Sequence, residues 1–194
     1  MGLRMEIADY FQQITDICNA MEGGESRALV NILEEAYHNG KQVFIFGNGG
    51  SGAMASHFCE DLGKGTLNKP DDKKRFKVMS LTDNVPYILA WANDEGYETI
   101  FEQQLRNFAE SGDVAIGISG SGNSINVLKA IEYGNSIGMI TIGVTGFDGG
   151  KLRGLAQHNI HVPVNDMGMT EAVHCIITHW VVASLKERLR SREE

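Results

Sequence analysis

Short apolar runs alternate with helical segments through most of this chain, and that alternation limits the fold more than any other feature. Each run has the length and composition of a buried strand. Strands that alternate with helices form βαβ units, which gives a mainly parallel sheet flanked by helices. We predict five strands, in the runs QVFIFG (42–47), RFKVMSL (75–81), DVAIGIS (113–119), MITIGVT (139–145) and NIHVPV (159–164).

Apolar residues recur with helical spacing in the segments between the predicted strands and in the segment before the first strand. Apolar residues of Met5–Ala36 recur at three- and four-residue steps, interrupted by EGGES at 22–26. The two helices predicted in this segment precede every strand, so they do not connect one strand to the next. We expect them to pack on the sheet or on another subunit. Further helices are predicted from about Gly52 and in the segments 86–94, 99–110, 125–138 and 170–189.

The length and composition of the chain indicate one globular unit and exclude some classes of binding partner. The chain has 194 residues and a formal net charge of -8, which argues against a general nucleic-acid binder. No apolar stretch approaches the length of a membrane span, and the first residues lack the apolar core of a signal peptide. Three scattered cysteines fit no zinc-ribbon or disulfide pattern. We therefore predict a cytoplasmic, single-domain protein, with a helical pair in 1–40 and an α/β core in 41–194.

Two glycine- and serine-rich loops follow predicted strands. They are GNGGSG at 47–52 and SGSGNS at 119–124. Parallel sheets bind ligands beyond the carboxyl ends of their strands, and a glycine loop before a helix suits an anion. Neither loop carries the lysine of a P-loop or the spacing of a dinucleotide fingerprint, so no nucleotide cofactor is predicted. Each loop could be only a tight turn before a helix N-cap. Two at one sheet edge favour a phosphorylated small ligand.

A histidine and two carboxylates follow the first loop at helical spacing. His57 and Asp61 are four residues apart, so they share one face of a helix, and Glu60 is an alternative partner of His57. Such a pair can hold a metal, but it also forms ordinary surface salt bridges. The residues alone leave both interpretations open.

The predicted final helix places three ionisable residues among apolar neighbours. They are Glu171, His174 and His179, in the run EAVHCIITHWVV. Polar groups inside an apolar run need partners. The two histidines could be satisfied core or interface residues, or they could belong to a site.

The motifs GNGGS, ISGSGNS and TGFDGGKL, in this order, resemble a SIS (sugar isomerase) domain. The spacing is similar to that of the bacterial sedoheptulose-7-phosphate isomerases, also called phosphoheptose isomerases, from about Val43 to Leu185. The resemblance implies a three-layer flavodoxin-like fold and an aldose–ketose isomerase acting on a phosphorylated sugar. It also implies a homotetramer with active sites at subunit interfaces, and one divalent metal per subunit, usually zinc.

The resemblance assigns roles residue by residue, because HFCED stands where the family has HFAEE and TEAVHCIITH stands at its QExxH…H. The implied metal ligands are His57, Asp61, Glu171 and His179, of which the last three are also the implied catalytic residues. The implied substrate-binding residues are Asn48, Gly49, Gly50, Ser51, Asn93, Asp94, Ser119, Gly120, Ser121 and Ser124.

This chain departs from the family pattern at four of the relevant positions. The family has glutamate at Asp61, glutamine at Glu171, aspartate at Met54 and threonine at Gly120. Glu171 and His179 are eight residues apart, roughly 12 Å along one helix. One metal can use both only if Glu171 lies at a bent helix start, or if two subunits share the site.

The implied reaction moves a proton between adjacent carbons through a cis-enediol. Asp61 or Glu171 would take the proton, His179 would move protons among the oxygens, and the serine loop would hold the phosphate. An isomerase of another sugar phosphate has the same chemistry. A relative that binds the DnaA replication initiator is similar but lacks the acid/base set, so a non-catalytic protein is the alternative. Metal-competent side chains at all four positions favour the enzyme.

Overall fold

The computed structural model describes residues 6–21, 23–69, 71–72 and 74–190. Its sheet has five strands in the order β2-β1-β3-β4-β5, and every neighbouring pair is parallel. This is the strand order of flavodoxin-like folds and confirms the predicted α/β class. The strands are Gln42–Gly47 (β1), Lys77–Ser80 (β2), Val114–Ser119 (β3), Ile140–Thr145 (β4) and His158–His161 (β5).

Eight α-helices lie within the described residues. They are Ile7–Ala20 (α1), Gly24–Asn39 (α2), Gly49–Glu60 (α3), Val85–Asp94 (α4), Glu102–Phe108 (α5), Ile125–Ser136 (α6), Gly150–Leu155 (α7) and Met167–Arg190 (α8). A π-helical turn, Asp61–Gly65, continues α3, and a short 3-10 turn, Tyr97–Thr99, precedes α5.

The sheet separates two hydrophobic cores, so the molecule has three layers. Alternate residues of a strand point to opposite faces. On one face, Val43 of β1 packs with the buried side chains of α2, α3 and α8. On the other face, Phe44 packs with those of α5, α6 and α7. Both side chains are fully buried, which explains why the strands are continuous apolar runs instead of alternating ones.

The structure differs from the sequence prediction at several element boundaries and in one additional helix. The helix predicted from about Gly52 begins at Gly49, inside the glycine loop. The fifth strand ends at His161, shortly before Pro163, whose ring nitrogen cannot donate to a sheet ladder. The run GKLRGL, in which no helix was predicted, forms α7. This helix is only six residues long, so its periodicity is weak.

The predicted N-terminal pair consists of α1 and α2. α2 buries Leu29, Val30 and Leu33 in the core beside α8. α1 has no fully buried residue, and its Ile7 and Phe11 are 70% and 61% exposed. In the isolated chain, α1 therefore presents much of its apolar face to solvent.

Candidate active site

The first glycine loop joins β1 to α3 in a turn with no room for side chains. A Cβ on Gly47 would lie 2.8 Å from the carbonyl oxygen of Ile118 and 2.9 Å from the backbone of Ser51. Only glycine avoids that collision. The close approach buries Ser51 at the carboxyl edge of the sheet, beside the end of β3.

Asn48 of this loop is held by two residues that the sequence analysis missed. Its amide exchanges two hydrogen bonds with the buried amide of Asn126, each 2.9 Å long. The Tyr97 hydroxyl also donates to Asn48 Oδ1 at 2.9 Å. These contacts fix the loop to α6, the helix that follows the serine loop. The one sequence signal for the Asn48–Asn126 pair is an asparagine between apolar residues in the first turn of a predicted helix.

The serine loop between β3 and α6 is closed by its own side chains. Ser119 Oγ donates to Ser124 Oγ at 3.1 Å, and the backbone N–H of Asn123 donates to Ser121 Oγ at 3.3 Å. Ser124 makes no side-chain capping bond to α6, so its hydroxyl faces Ser119 instead of the helix N-terminus. Ser124 is thus the N-cap residue of α6 by position, but its hydroxyl does not cap the helix. The loop borders a cavity of about 520 Å³, lined by Ser121, Asn123, Phe147, Asp148 and Asn165.

Gly120, one of the departures from the family pattern, has a direct neighbour in space. A Cβ at this position would collide with the thioether of Met167, at the start of α8. The methionine thus occupies the volume in which a threonine side chain would lie. The large side chain of Met167 therefore fits in this place because Gly120 has no side chain.

Three of the four predicted metal ligands lie together where α3 runs beside α8. Asp61 Oδ2 is 3.6 Å from His57 Nε2 and 3.2 Å from His179 Nδ1. The two imidazole rings meet edge to face with their centroids 4.9 Å apart. Both histidine side chains are about half exposed, at 50% and 51%, so a ligand can reach them.

A change of helix type positions Asp61. The α-helix ends at Glu60, and the π-helical turn begins at Asp61. Turns of this kind occur often at functional sites, because they widen the helix and reorient one side chain. The turn ends at Gly65, where a Cβ would already touch Val182 of α8 at 3.4 Å. A small residue there lets the two helices approach closely.

A cysteine that the sequence analysis did not select joins this cluster. Ligand atoms of His57, Cys175 and His179 all lie within 4.8 Å of one another. A second metal-competent group consists of His57, Glu60 and Asp61, which keeps Glu60 as an alternative partner. Cys175 precedes His179 by four residues, so the helical spacing was readable in the sequence. Within an apolar run, however, a cysteine resembles an ordinary packing residue.

Glu171 lies beside the glycine loop and lines a cavity that His57 and Cys175 also line. Its carboxylate covers Gly50 so closely that a Cβ there would lie 2.5 Å from Glu171 Oε1. Among the described residues, Glu171 belongs to neither metal-competent group. The cavity between them, about 250 Å³, is lined by Gly50, Ser51, Ala53, Met54, His57, Glu171 and Cys175. His57 of the cluster therefore lines the same cavity as the glycine loop.

Two of the positions at which the resemblance implies a departure from the family pattern line this cavity. Met54 stands where the family has an aspartate, and Glu171 stands where it has a glutamine. Both line the cavity, so Glu171 supplies a carboxylate there and Met54 supplies none.

His174 belongs to the core and not to the pocket. Its side chain is buried, and its Nε2–H donates to the backbone carbonyl of Thr145 at 3.0 Å. Burial disfavours the charged imidazolium and lowers the pKa of His174 to about 4. The histidine is therefore neutral at physiological pH and ties α8 to the end of β4.

Asn93 and Asp94 are exposed at the end of α4 and lie apart from the cavities at the glycine and serine loops. Asn93 Nδ2 donates to Asp94 Oδ1 at 2.7 Å, and neither residue lines those two cavities. A larger cavity of about 640 Å³ lies elsewhere, between the α1–α2 turn and the end of β5. Its lining includes Arg153 and His161 but none of the predicted site residues.

The SIS domain family matches residues 9–146 of this chain. A probable phosphoheptose isomerase of Thermoplasma acidophilum is 35% identical over 176 residues, which cover 86% of this chain and 95% of that protein. A phosphoheptose isomerase of Aliarcobacter butzleri is 36% identical over 158 residues, which cover 81% of this chain and 82% of that protein.

Solved structures give the same result. A phosphoheptose isomerase of Neisseria gonorrhoeae superposes with a TM-score of 0.84 at 25% identity, covering 93% of this chain and 97% of that one. The corresponding protein of Francisella tularensis gives a TM-score of 0.85 at 26% identity, covering 93% and 96%. The molecule is thus an α/β isomerase enzyme with a flavodoxin-like sheet. It belongs to the SIS-domain family, as its loop motifs predicted.

Among the described residues, no helix combines the length and apolar character of a membrane-spanning segment.

Proposed function

We propose that this chain is an aldose–ketose isomerase of a sugar phosphate, converting sedoheptulose 7-phosphate to heptose 7-phosphate. One observation carries the proposal. The glycine loop, the Glu171 carboxylate and His57 line a single cavity, and Asp61 lies 3.6 Å from His57 and 3.2 Å from His179 beside it. The relatives support this choice of substrate, since several of them are named phosphoheptose isomerases and match most of this chain. Such an enzyme would supply heptose for surface polysaccharide from the cytoplasm.

The donor set fits a divalent metal. Two imidazoles and a carboxylate converge from two helices, which is a composition suited to zinc and other divalent transition metals. His57, Asp61 and His179 would hold the ion. Bound there, a divalent cation supplies Lewis acidity, which polarises the sugar carbonyl and stabilises negative charge on its oxygens. Zinc is our preferred identity because of the family resemblance.

Glu171 is the better placed of the two candidate bases. Asp61 lies between two histidines, where a metal would occupy it. Glu171 lies outside that cluster and faces the cavity beside Gly50. We therefore assign removal of the carbon-bound proton to Glu171 and place Asp61 on the metal. His179, whose ring packs against that of His57, would exchange protons with the sugar oxygens.

The remote phosphate would bind at the serine loop. Ser119, Ser121 and Ser124 provide three hydroxyls at the start of α6, whose N-terminus carries the positive end of the helix dipole. Binding energy from this unreactive end of the substrate would align the reactive carbons with Glu171.

The proposed enzyme is a homotetramer with sites between subunits. α1 leaves Phe11 61% exposed, and α8 leaves Trp180 45% exposed beside the site. Helical faces of this kind are normally buried against a partner. Asn93 and Asp94, which are exposed within one chain, would then contribute to the substrate site of a neighbour.

The test is an isomerase assay of the purified protein, loaded in turn with zinc, manganese and nickel. We expect turnover of sedoheptulose 7-phosphate that exceeds turnover of pentulose and hexulose phosphates. Turnover of a shorter ketose phosphate alone would keep the reaction and change the sugar. No turnover of any sugar phosphate with any of these metals would overturn the proposal and favour the non-catalytic alternative.

A further inference from the structure

We propose that Cys175 is a metal ligand of this enzyme, and that it replaces Glu171 in the ligand set implied by the family resemblance. The inference rests on the proposed metal site. It differs from that set by one residue and gives the site a thiolate, a soft ligand that the family pattern does not include.

The distances around Cys175 suit a shared ion. Its sulfur lies within 4.8 Å of a ring nitrogen of both His57 and His179. In a tetrahedral zinc site with bonds of about 2.0–2.3 Å, neighbouring ligand atoms are roughly 3.3–3.7 Å apart. Side-chain rotations that shorten these separations by about 1 Å would bring all three ligand atoms to one ion.

The geometry of α8 favours Cys175 over Glu171. Cys175 and His179 are four residues apart, so they lie on one face, about one helical turn from each other. Glu171 is a further turn away, roughly 12 Å from His179 along the helix axis, and among the described residues it belongs to neither metal-competent group. No bend at Glu171 or shared subunit is needed when Cys175 is the ligand.

The donors also form two matching pairs. α3 and the turn after it supply His57 and Asp61, four residues apart, and α8 supplies Cys175 and His179, also four residues apart. Zinc in a protein usually has four donors, and the two histidines link the pairs, since both lie with Cys175 in one metal-competent group and both contact Asp61. The carboxylate and the thiolate together neutralise a divalent cation.

This arrangement separates two tasks that the family resemblance combines in one residue. With Cys175 on the metal, the Glu171 carboxylate remains available to the cavity. Thiolate ligands also favour zinc and ferrous iron over magnesium, calcium or manganese. The proposed enzyme should therefore retain zinc in the presence of excess manganese.

The experiment uses cobalt(II) as a spectroscopic substitute for zinc in the full-length protein. A thiolate bound to cobalt(II) gives a charge-transfer band in the near ultraviolet, which imidazole and carboxylate ligands do not give. We expect this band in the wild type and its loss in both Cys175→Ala and Cys175→Ser, with at least tenfold weaker cobalt binding. Two variants are used, each checked for native size and unfolding temperature, so that a folding defect in one does not decide the result.

Matched controls separate the thiol from its neighbours. Cys59→Ala removes another partly buried thiol of α3 that lies outside the cluster, and it should retain the band. Glu171→Gln, which restores the side chain of the family, should retain both the band and the cobalt affinity. Loss of the band in Glu171→Gln, or its persistence in both Cys175 variants, would overturn the inference.

The outcomes also distinguish this inference from the proposed function. A wild-type protein that binds cobalt without a thiolate band but isomerises sugar phosphates would contradict only the role of Cys175. A protein that binds no cobalt, as judged by metal analysis after gel filtration, would overturn both the ligand assignment and the metal-assisted mechanism.

Discussion

Gly50 shows how much of the pocket depends on a missing side chain. The Glu171 carboxylate lies where a Cβ on Gly50 would be, and the helix in which Gly50 lies allows other residues by backbone geometry. The constraint is therefore the neighbour and not the backbone. A similar pairing joins Gly120 to Met167. At both positions a glycine makes space for a side chain of α8.

Gly50→Ala should lower turnover while leaving metal content unchanged. The added methyl group would displace the Glu171 carboxylate from its place in the cavity, whereas the histidine cluster lies farther along α3. We expect at least a tenfold fall in kcat, measured beside metal analysis. Gly154→Ala is the control, because nothing lies within 4 Å of a Cβ at that position. A loss of metal in Gly50→Ala would contradict the separation of Glu171 from the metal.

Ser121→Ala tests the phosphate assignment. Removing one hydroxyl that donates to a charged group should weaken binding of the sugar phosphate by about 1–2 kcal/mol. Calorimetric titration with sedoheptulose 7-phosphate measures this directly, and unphosphorylated sedoheptulose serves as the control ligand. Equal affinity of the wild-type protein for the two sugars would show that the serine loop holds no phosphate.

α8 is the element that joins the core to the site. One of its faces carries the buried His174, which donates to the end of β4, and an adjacent face carries Glu171, Cys175 and His179. The burial of His174 favours the core alternative that the sequence left open. Because the core contacts set the rotation of the helix, they also determine which polar residues reach the pocket.

His174 should make the stability of the protein depend on pH. Its folded pKa is about 4, below the ordinary value of 6.5, so the folded state favours the neutral ring. The stabilisation is complete above about pH 6.5 and is lost as the pH falls towards 4, with a total of roughly 3 kcal/mol. The measurement is urea unfolding between pH 7 and 4, with a chelator present. His174→Gln should show a smaller decrease over that window; a decrease equal to that of the wild type would contradict the assignment.

The strands and the major helices could be predicted because their apolar pattern is local. The same pattern could not show the π-helical turn at Asp61 or the beginning of α3 at Gly49, because these depend on helix packing and on the tertiary contacts of the glycine loop. Cys175 was missed since only the approach of α3 to α8 gives its thiol two histidine neighbours. The separation of Glu171 from the cluster likewise follows from tertiary contacts.

At the scale of the whole molecule, the apolar surface points to assembly. α1 exposes Phe11 and α8 exposes Trp180, and neither is covered within the described chain. We predict a particle of about four times the 21.3 kDa chain mass in light scattering. Phe11→Glu should shift it to smaller species without unfolding the chain, since this side chain is largely exposed in one subunit. A wild-type particle of single-chain mass at micromolar concentration would contradict the tetramer.

The loops and the cluster at the α3–α8 contact, as we propose, serve one metal-assisted site. Turnover of sedoheptulose 7-phosphate by Asp61→Asn tests this most directly, because asparagine keeps the size of the side chain and removes its charge. His179→Gln is expected to behave similarly, and His174→Gln should retain far more activity. With native particle size established, we predict a fall of at least about 100-fold for Asp61→Asn, together with reduced metal content. Near-normal turnover and metal content in that variant would contradict a shared metal-assisted site.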